Sequence, residues 1–160
     1  AGLVTGGPRG AQHVHTPDER EIWEVYRVRA ALEALAVREV IASPQHADYA
    51  EQLRQALPTD QPGQTFVEAL NVDLAFHEQL CLLSGNQTLL ASWKRLEDQM
   101  RIVLLSSGRA EPLELMGRAH HLPIVDAIEA GDLDEATELV YRHMDVAADQ
   151  WSSDWRQRTS

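Results

Sequence analysis

The amino-acid sequence predicts an all-α protein in which six or seven helices pack as an antiparallel bundle. Apolar residues recur at the three- and four-residue spacing of a helix face, and the alternating β-branched residues typical of strands are missing. The periodic segments begin and end at capping residues, glycines and prolines. The connections between them are short, which places consecutive helices side by side in opposite directions.

Length and composition indicate one soluble domain that does not itself grip nucleic acid. The chain has 160 residues, enough for a hydrophobic core, and no apolar run approaches the roughly 18 residues that span a bilayer. Its formal charge of −11 argues against DNA contact, because phosphate binding calls for a basic surface. The one cysteine, Cys81, cannot form an internal disulfide, which fits a reducing cytoplasm.

Residues 1–15 contain four glycines, one proline and no helical periodicity. They are expected to form a flexible leader or the remnant of a preceding segment. Residues 16–160 are expected to form the helical domain.

The first helix is expected to start at residues 16–19 and to run to about Ala42. Thr16 can cap the helix, Pro17 suits its first position, and Glu19 completes a capping box.

The next three helices follow from similar signals. The Ser-Pro pair at 43–44 repeats the cap-then-proline pattern and is expected to open a second helix that ends near Leu57. A third helix follows the loop at 58–63 and ends at Gly85, where glycine suits a left-handed residue. Asn86 is expected to cap a fourth helix over about 87–107.

The C-terminal part is expected to contain a break caused by a proline. Residues 113–130 have helical periodicity, but Pro123 inside a helix would cost about 3 kcal/mol. A break or a new helix start is therefore expected near residues 120–121. Asp132 then resembles the cap of a last helix that runs to about Arg156.

Four ionisable residues fall on faces that should point into the core. Asp73 and His77 lie four residues apart in an apolar helix, so they share a face. His121 and His143 lie on the apolar stripes of the last two helices. Because a buried carboxylate is costly unless it is paired or bound to a cation, the four residues suggest a buried metal site. Imidazole and carboxylate ligands suit zinc, nickel, manganese, cobalt or iron.

Simpler interpretations exist for each of these residues taken alone. A single histidine on an apolar stripe is usually a core residue with its hydrogen bonds satisfied. Asp73 and His77 also form a plausible hydrogen-bonded pair within one helix. His120 is the alternative to His121, because adjacent helical residues point about 100° apart and only one of them can face the core.

The same residues lie within motifs that carry a family resemblance. The chain resembles the C-terminal effector-binding domain (the FCD domain) of the FadR subgroup of GntR-type bacterial transcription regulators, over about residues 17–150. The matching motifs are Arg29-Ala30-Ala31-Leu32-Glu33, Asp73-Leu74-Ala75-Phe76-His77, Ser84-Gly85-Asn86-Gln87-Thr88-Leu89-Leu90, His121 with the segment 124–132, and the segment from Ala136 to His143.

The resemblance implies a bundle with a central cavity that holds a divalent metal and a small carboxylate-type effector. It assigns the metal ligands to Asp73, His77, His121 and His143. It also matches Arg29 to an effector contact and Asn86 to a residue that lines the cavity. Arg101, on a helix expected to face the cavity, is a candidate second anion contact. Simpler roles are an ion pair of Arg29 with Glu33 and helix capping by Asn86.

Members of this family also begin with a winged helix-turn-helix, which this sequence lacks. Residues 3–14 are therefore a candidate for the end of a wing and its linker. The leading hypothesis is a metabolite sensor that forms a homodimer and contacts operator DNA only through that missing domain. A bound acid would shift the protein between two helix arrangements and so change the spacing of the DNA-reading heads.

Two other classes of protein remain as alternatives. The first is a metal-dependent enzyme built in a helical bundle, although neither an HExxH motif nor a paired Glu-x-x-His motif occurs. The second is a dimerisation module without a ligand, in which Trp151 and Trp155 form an apolar contact surface. The two tryptophans fit equally well with packing onto their own bundle.

Overall fold

A computed structural model describes residues 4–6, 12–14 and 17–159 of the chain. The predicted all-α bundle is confirmed, and the described residues contain six α-helices and one 3₁₀ turn. The helices are α1 (Glu19–Ala42), α2 (His46–Gln55), α3 (Phe66–Leu83), α4 (Gln87–Leu105), α5 (Arg118–Ala130) and α6 (Leu133–Thr159), and the turn is Glu114–Met116.

Two short strands precede the bundle. The strands β1 (Val4–Gly6) and β2 (Gln12–Val14) pair antiparallel, with Val4 opposite Val14. The sequence had predicted no strands. Three residues per strand are too few for an alternating pattern to stand out, which is why this pairing was not predicted.

The first helix begins two residues later than predicted. Asp18, and not Thr16, caps α1: its Oδ1 accepts the backbone N–H of Glu21 at 2.9 Å, and Glu21 Oε2 accepts the N–H of Asp18 at 2.8 Å. Asp18 and Glu21 have the same spacing as the predicted pair Thr16 and Glu19, so the sequence offered two overlapping capping boxes. Thr16 itself lies outside the described residues.

The Ser-Pro pair at 43–44 ends a helix instead of opening one. Ser43 is the C-terminal cap of α1, and α2 begins only at His46, after Gln45, which makes no side-chain capping bond. The predicted cap of α4 is confirmed, since Asn86 Oδ1 accepts the N–H of Leu89 at 3.0 Å.

The break before α5 lies three residues earlier than predicted. Gly117 separates the 3₁₀ turn from α5, and Pro123 then falls in the second turn of the helix. There it removes a single backbone donor, the one that would otherwise bond the carbonyl of Ala119, so the helix continues through it. Gly131 ends α5 with φ 69°, and Asp132 caps α6 as predicted, accepting from the N–H of Glu135 at 3.0 Å.

The inward faces of α1, α3, α5 and α6 enclose the core, and α1 packs along α6, the longest helix. The core is built mainly of aliphatic side chains, and its aromatic members include Trp93, Trp151, Phe66 and Phe76. Trp151 packs edge-on against Phe66, with ring centroids 5.8 Å apart, so this tryptophan belongs to its own bundle. Within the part of the chain that the structure describes, no helix has the length and apolar character needed to cross a membrane.

Candidate metal centre

The structure brings Asp73, His77, His121 and His143 together in the core. Each residue offers one ligand atom, and these four atoms all lie within 4.8 Å of one another. The four side chains are buried, and none is more than 7% exposed. They come from three helices, because α3 supplies two ligands one turn apart while α5 and α6 supply one each.

The ligand atoms face one another at close range. His121 Nε2 lies 2.9 Å from Asp73 Oδ1 and 3.1 Å from His77 Nε2. His77 Nε2 lies 3.8 Å from the same carboxylate oxygen. The ring of His143 stacks on that of His77, with centroids 5.3 Å apart.

The hydrogen-bond partners of the two imidazoles decide where their protons are. His77 Nδ1 lies 2.6 Å from Glu33 Oε2, and His121 Nδ1 lies 2.8 Å from the carbonyl oxygen of Gly117. Both partners are acceptors, so we infer that Nδ1 carries the proton in each neutral ring. Each Nε2 is then a bare lone pair directed at the other ring and at Asp73.

This arrangement leaves acceptor atoms without a donor. Asp73 Oδ1 is buried and receives no hydrogen bond from any residue that the structure describes. Its short distance to His121 Nε2 is a contact between two acceptors in this tautomer. Such a set is unfavourable unless a cation lies between its members. The donor set of three imidazoles and one carboxylate therefore fits a divalent metal ion.

The electrostatic environment favours the protonation states that metal ligands need. Burial lowers the pKa of His77, and burial together with the neighbouring His121 and His77 rings lowers the pKa of His143 further. Burial by itself would raise the pKa of Asp73, whereas a proton on His121 or His77 and the charge of Arg29 oppose burial and lower that pKa below its usual value. Neutral imidazoles and an ionised carboxylate are the forms that bind a metal.

The lowered histidine pKa values predict a pH-dependent stability for the metal-stripped protein. His77 and His143 release their protons more easily in the folded chain, so the unfolded chain binds more protons below about pH 6.5. The stability that the neutral rings contribute is thus present above that pH and lost as the pH falls. Urea unfolding should show a free energy lower at pH 5.5 than at 7.5, by roughly 1 kcal/mol per histidine. Equal values at both pH values would contradict this prediction.

Glu33 is part of the site, although the sequence predicted for it only an ion pair with Arg29. Its side chain is 0% exposed. Its Oε2 accepts from His77 Nδ1, while its Oε1 accepts from Arg29 Nε at 2.7 Å and from Trp93 Nε1 at 2.9 Å. Burial alone would raise the pKa of Glu33, but His77 and Arg29 outweigh burial and lower it to about 2. The available signal was an acidic residue on an apolar helix face, the same anomaly that pointed to Asp73.

Arg29 pairs with Glu33 and also retains unused donor capacity. It is 3% exposed, its Nη1 lies 3.5 Å from the sulfur of Met100, and its guanidinium lies 5.7 Å from the ring centre of Tyr26. Its Nη2 is buried and has no hydrogen-bond partner among the described residues. Glu33 accepts from both Arg29 and His77, so one side chain connects this cation to the ligand cluster.

The other two predicted effector contacts, Asn86 and Arg101, bind side chains that are not members of the cluster. Asn86 caps α4 and donates from Nδ2 to Glu39 Oε1 at 3.1 Å. Arg101 is about one-third exposed, and it binds Glu97 and Asn71, the latter through Nη1 at 2.7 Å. His120 is partly exposed and lies outside the cluster that contains His121.

Comparisons with known proteins agree with this fold. A family model of the FCD domain matches residues 24–146. A protein of Paenarthrobacter nicotinovorans named "Probable D-xylose utilization operon transcriptional repressor" is 28% identical over 129 residues, which cover 79% of this chain and 56% of that protein. This chain thus spans little more than half the length of that relative.

Among solved structures, the metal-free FCD domain of TM0439, a candidate transcriptional regulator, is similar with a TM-score of 0.62 and 14% sequence identity. The match covers 89% of this chain and 99% of that domain. At this identity the likeness is one of fold.

Proposed function

The chain belongs to the FCD domain family, and on that premise we propose that it is the effector-binding domain of a transcription regulator that senses a small organic acid through a bound divalent metal. The relatives named above are regulators of transcription, which supports a sensory role and not an enzymatic one. The proposed metal ligands are Asp73, His77, His121 and His143.

One observation carries the proposal: three imidazoles and one carboxylate converge in the core, and one ligand atom from each lies within 4.8 Å of the others. A divalent ion bound there would supply the positive charge that this set of acceptors lacks, and it would attract a carboxylate ligand. Glu33 would hold the His77 ring through Nδ1 so that Nε2 stays directed at the ion.

Arg29 is the proposed anion contact on the protein side. It is buried and charged, and its Nη2 has no hydrogen-bond partner among the described residues. Burial lowers the pKa of Arg29, but Glu33 and Asp73 more than offset this effect, so the guanidinium stays protonated. A carboxylate that bridges the metal and Nη2 would satisfy both. Asn86 and Arg101 are less well supported as effector contacts, because each already binds another side chain.

The effect on DNA would require parts of the regulator beyond this bundle. We propose that a winged helix-turn-helix contacts operator DNA and that two copies act as a homodimer in the cytoplasm. The antiparallel pair β1 and β2 supports the interpretation of residues 3–14 as the end of a wing, because a wing is a β-hairpin. An acid that favours one arrangement of the helices would change the spacing of the DNA-binding domains and hence operator affinity.

Calorimetry tests this function directly. Zinc-loaded protein should bind at least one member of a panel of small organic acids such as lactate, malate and citrate, and metal-stripped protein should bind none of them. Elemental analysis of freshly purified protein should show a divalent metal near one per chain. The proposal fails if the protein binds neither zinc nor an acid.

The variant Arg29→Met should separate effector binding from metal binding. Loss of a charge-assisted hydrogen bond worth about 1.5–3 kcal/mol should weaken binding of the acid roughly 10- to 100-fold. Zinc affinity should change much less, because Arg29 is not a ligand. Arg27→Met, at an exposed position on the same helix, is the matched control. Unchanged acid binding by Arg29→Met would remove Arg29 from the effector site.

A further inference from the structure

A loop residue that is not one of the proposed ligands binds the start of the helix that carries His121. Asp60 lies in the connection between α2 and α3, and its Oδ1 accepts the backbone N–H of Arg118 at 3.2 Å. Arg118 is the first residue of α5, whose own cap, Gly117, has no side chain to bind the free N–H groups of the first turn. Asp60 therefore caps the N-terminus of α5, although it lies in a different loop and not next to that helix in the chain. Its negative charge also suits the N-terminal end of a helix dipole.

Gly117 connects this contact to the metal ligand. Its carbonyl oxygen accepts the Nδ1 proton of His121 at 2.8 Å, the bond that turns Nε2 toward the cluster. A Cβ atom at position 117 would lie 2.7 Å from Asp60 Oδ1 and 3.0 Å from the carbonyl oxygen of Glu114. Asp60 thus lies so close to the backbone of Gly117 that a side chain at position 117 would force Asp60 or the backbone to move.

Helix α2, which precedes this loop, binds the opposite end of α5. His46 Nδ1 lies 3.1 Å from the carbonyl oxygen of Ile128, and Arg54 binds Asp126 at 2.8 Å and Glu129 at 2.6 Å. These contacts fall in the last two turns of α5. They hold the C-terminal half of α5 against α2. The contact of Asp60 instead acts on the first turn of α5, where His121 lies.

We infer that Asp60 and Gly117 are positioning residues for His121: by fixing the first turn of α5, they set the orientation and tautomer of that imidazole and so tune metal affinity. This inference rests on the proposed metal site. Neither residue is a metal ligand; both act through the carbonyl oxygen of Gly117.

Zinc titration against a chromophoric chelator tests the role of Asp60. Hydrogen-bond partners of metal ligands typically contribute about 10- to 100-fold to affinity. Asp60 acts one bond further away, so Asp60→Ala should weaken zinc binding by about 3- to 10-fold. Asp60→Asn should stay within about twofold of the unmodified protein, since an amide oxygen still accepts the N–H of Arg118.

Arg54→Ala is the matched control for a purely structural role. It removes contacts between α2 and α5 but leaves the first turn of α5 intact. It should leave zinc affinity unchanged, whatever it does to the melting temperature. If Arg54→Ala and Asp60→Ala reduce affinity equally, or if Asp60→Ala binds zinc as the unmodified protein does, the positioning role is wrong.

Gly117→Ala extends the test. It should weaken zinc binding, and the loss should be smaller when Asp60→Ala is also present, because one of the two close contacts is then gone. Additive losses would overturn the proposed coupling between the two residues.

The ring tautomer of His121 provides a readout that needs no metal. Nitrogen-15 NMR of the metal-stripped protein should show His121 protonated at Nδ1, and Asp60→Ala should show a mixture of tautomers. The tautomer therefore decides the positioning role even if the unmodified protein binds no zinc. Failure of His121→Ala to lower zinc affinity would instead count against the proposed metal site.

Discussion

His77→Ala should bind zinc about 100- to 1000-fold more weakly than the unmodified protein. A four-ligand zinc site contributes on the order of 10–16 kcal/mol, so one ligand accounts for roughly a quarter of that free energy. The Nε2 of His77 faces both His121 and Asp73. Competition with a chelating dye would measure the affinity.

Thermal unfolding provides a second measurement for the same variant. Zinc at 100 times its dissociation constant should stabilise the unmodified protein by about 2.7 kcal/mol, and this gain should disappear in His77→Ala. His120→Ala is the control, because that histidine is next to a ligand in the chain but lies outside the cluster. If His77→Ala gains as much from zinc as the control, the four residues do not form the site.

Glu33→Gln should have the largest effect on stability, because it removes the buried partner of a buried cation. Arg29 and Glu33 form an ion pair at 2.7 Å, with side chains that are 3% and 0% exposed. Breaking such a pair from one side costs about 3–5 kcal/mol, since the remaining charge is left uncompensated. Urea unfolding of the metal-stripped protein should show this loss.

The same change should weaken zinc binding by about 10- to 100-fold, because Glu33 is the hydrogen-bond partner of the ligand His77. Glu39→Gln on the same helix is the control, since Glu39 contacts Asn86 and not the cluster. Should Glu33→Gln fail to fold, the double variant Arg29→Met/Glu33→Gln removes both charges and is expected to recover stability. If that variant binds zinc normally, Glu33 does not orient His77.

The four proposed ligands could be found from the sequence because each is an anomaly within its own helix. Asp73 and His77 interrupt an apolar face one turn apart, and His121 and His143 do the same on later helices. A helix face is set by local spacing, so the inward direction of each side chain follows from its near neighbours. The family motifs then indicated that the four faces meet in one place.

The other predicted contacts show where local spacing stops being informative. Asn86 caps a helix and binds Glu39, and Arg101 pairs at the surface with Glu97 and Asn71. Both residues fulfil strong local preferences, an asparagine cap and a helical ion pair four residues apart. Their place relative to the cluster depends on how α4 packs, which the spacing of residues along the chain does not record.

The sequence by itself determined that the chain is helical, where most helices end, and which ionisable residues point inward, because hydrogen bonds and side-chain faces within a helix span only a turn or two. Only the tertiary structure decided that Glu33 binds His77 and that Asp60 caps the helix of His121. These contacts join residues more than 40 positions apart in the chain. They exist only once the helices have packed, since burial then forces each polar group to find a partner wherever one lies.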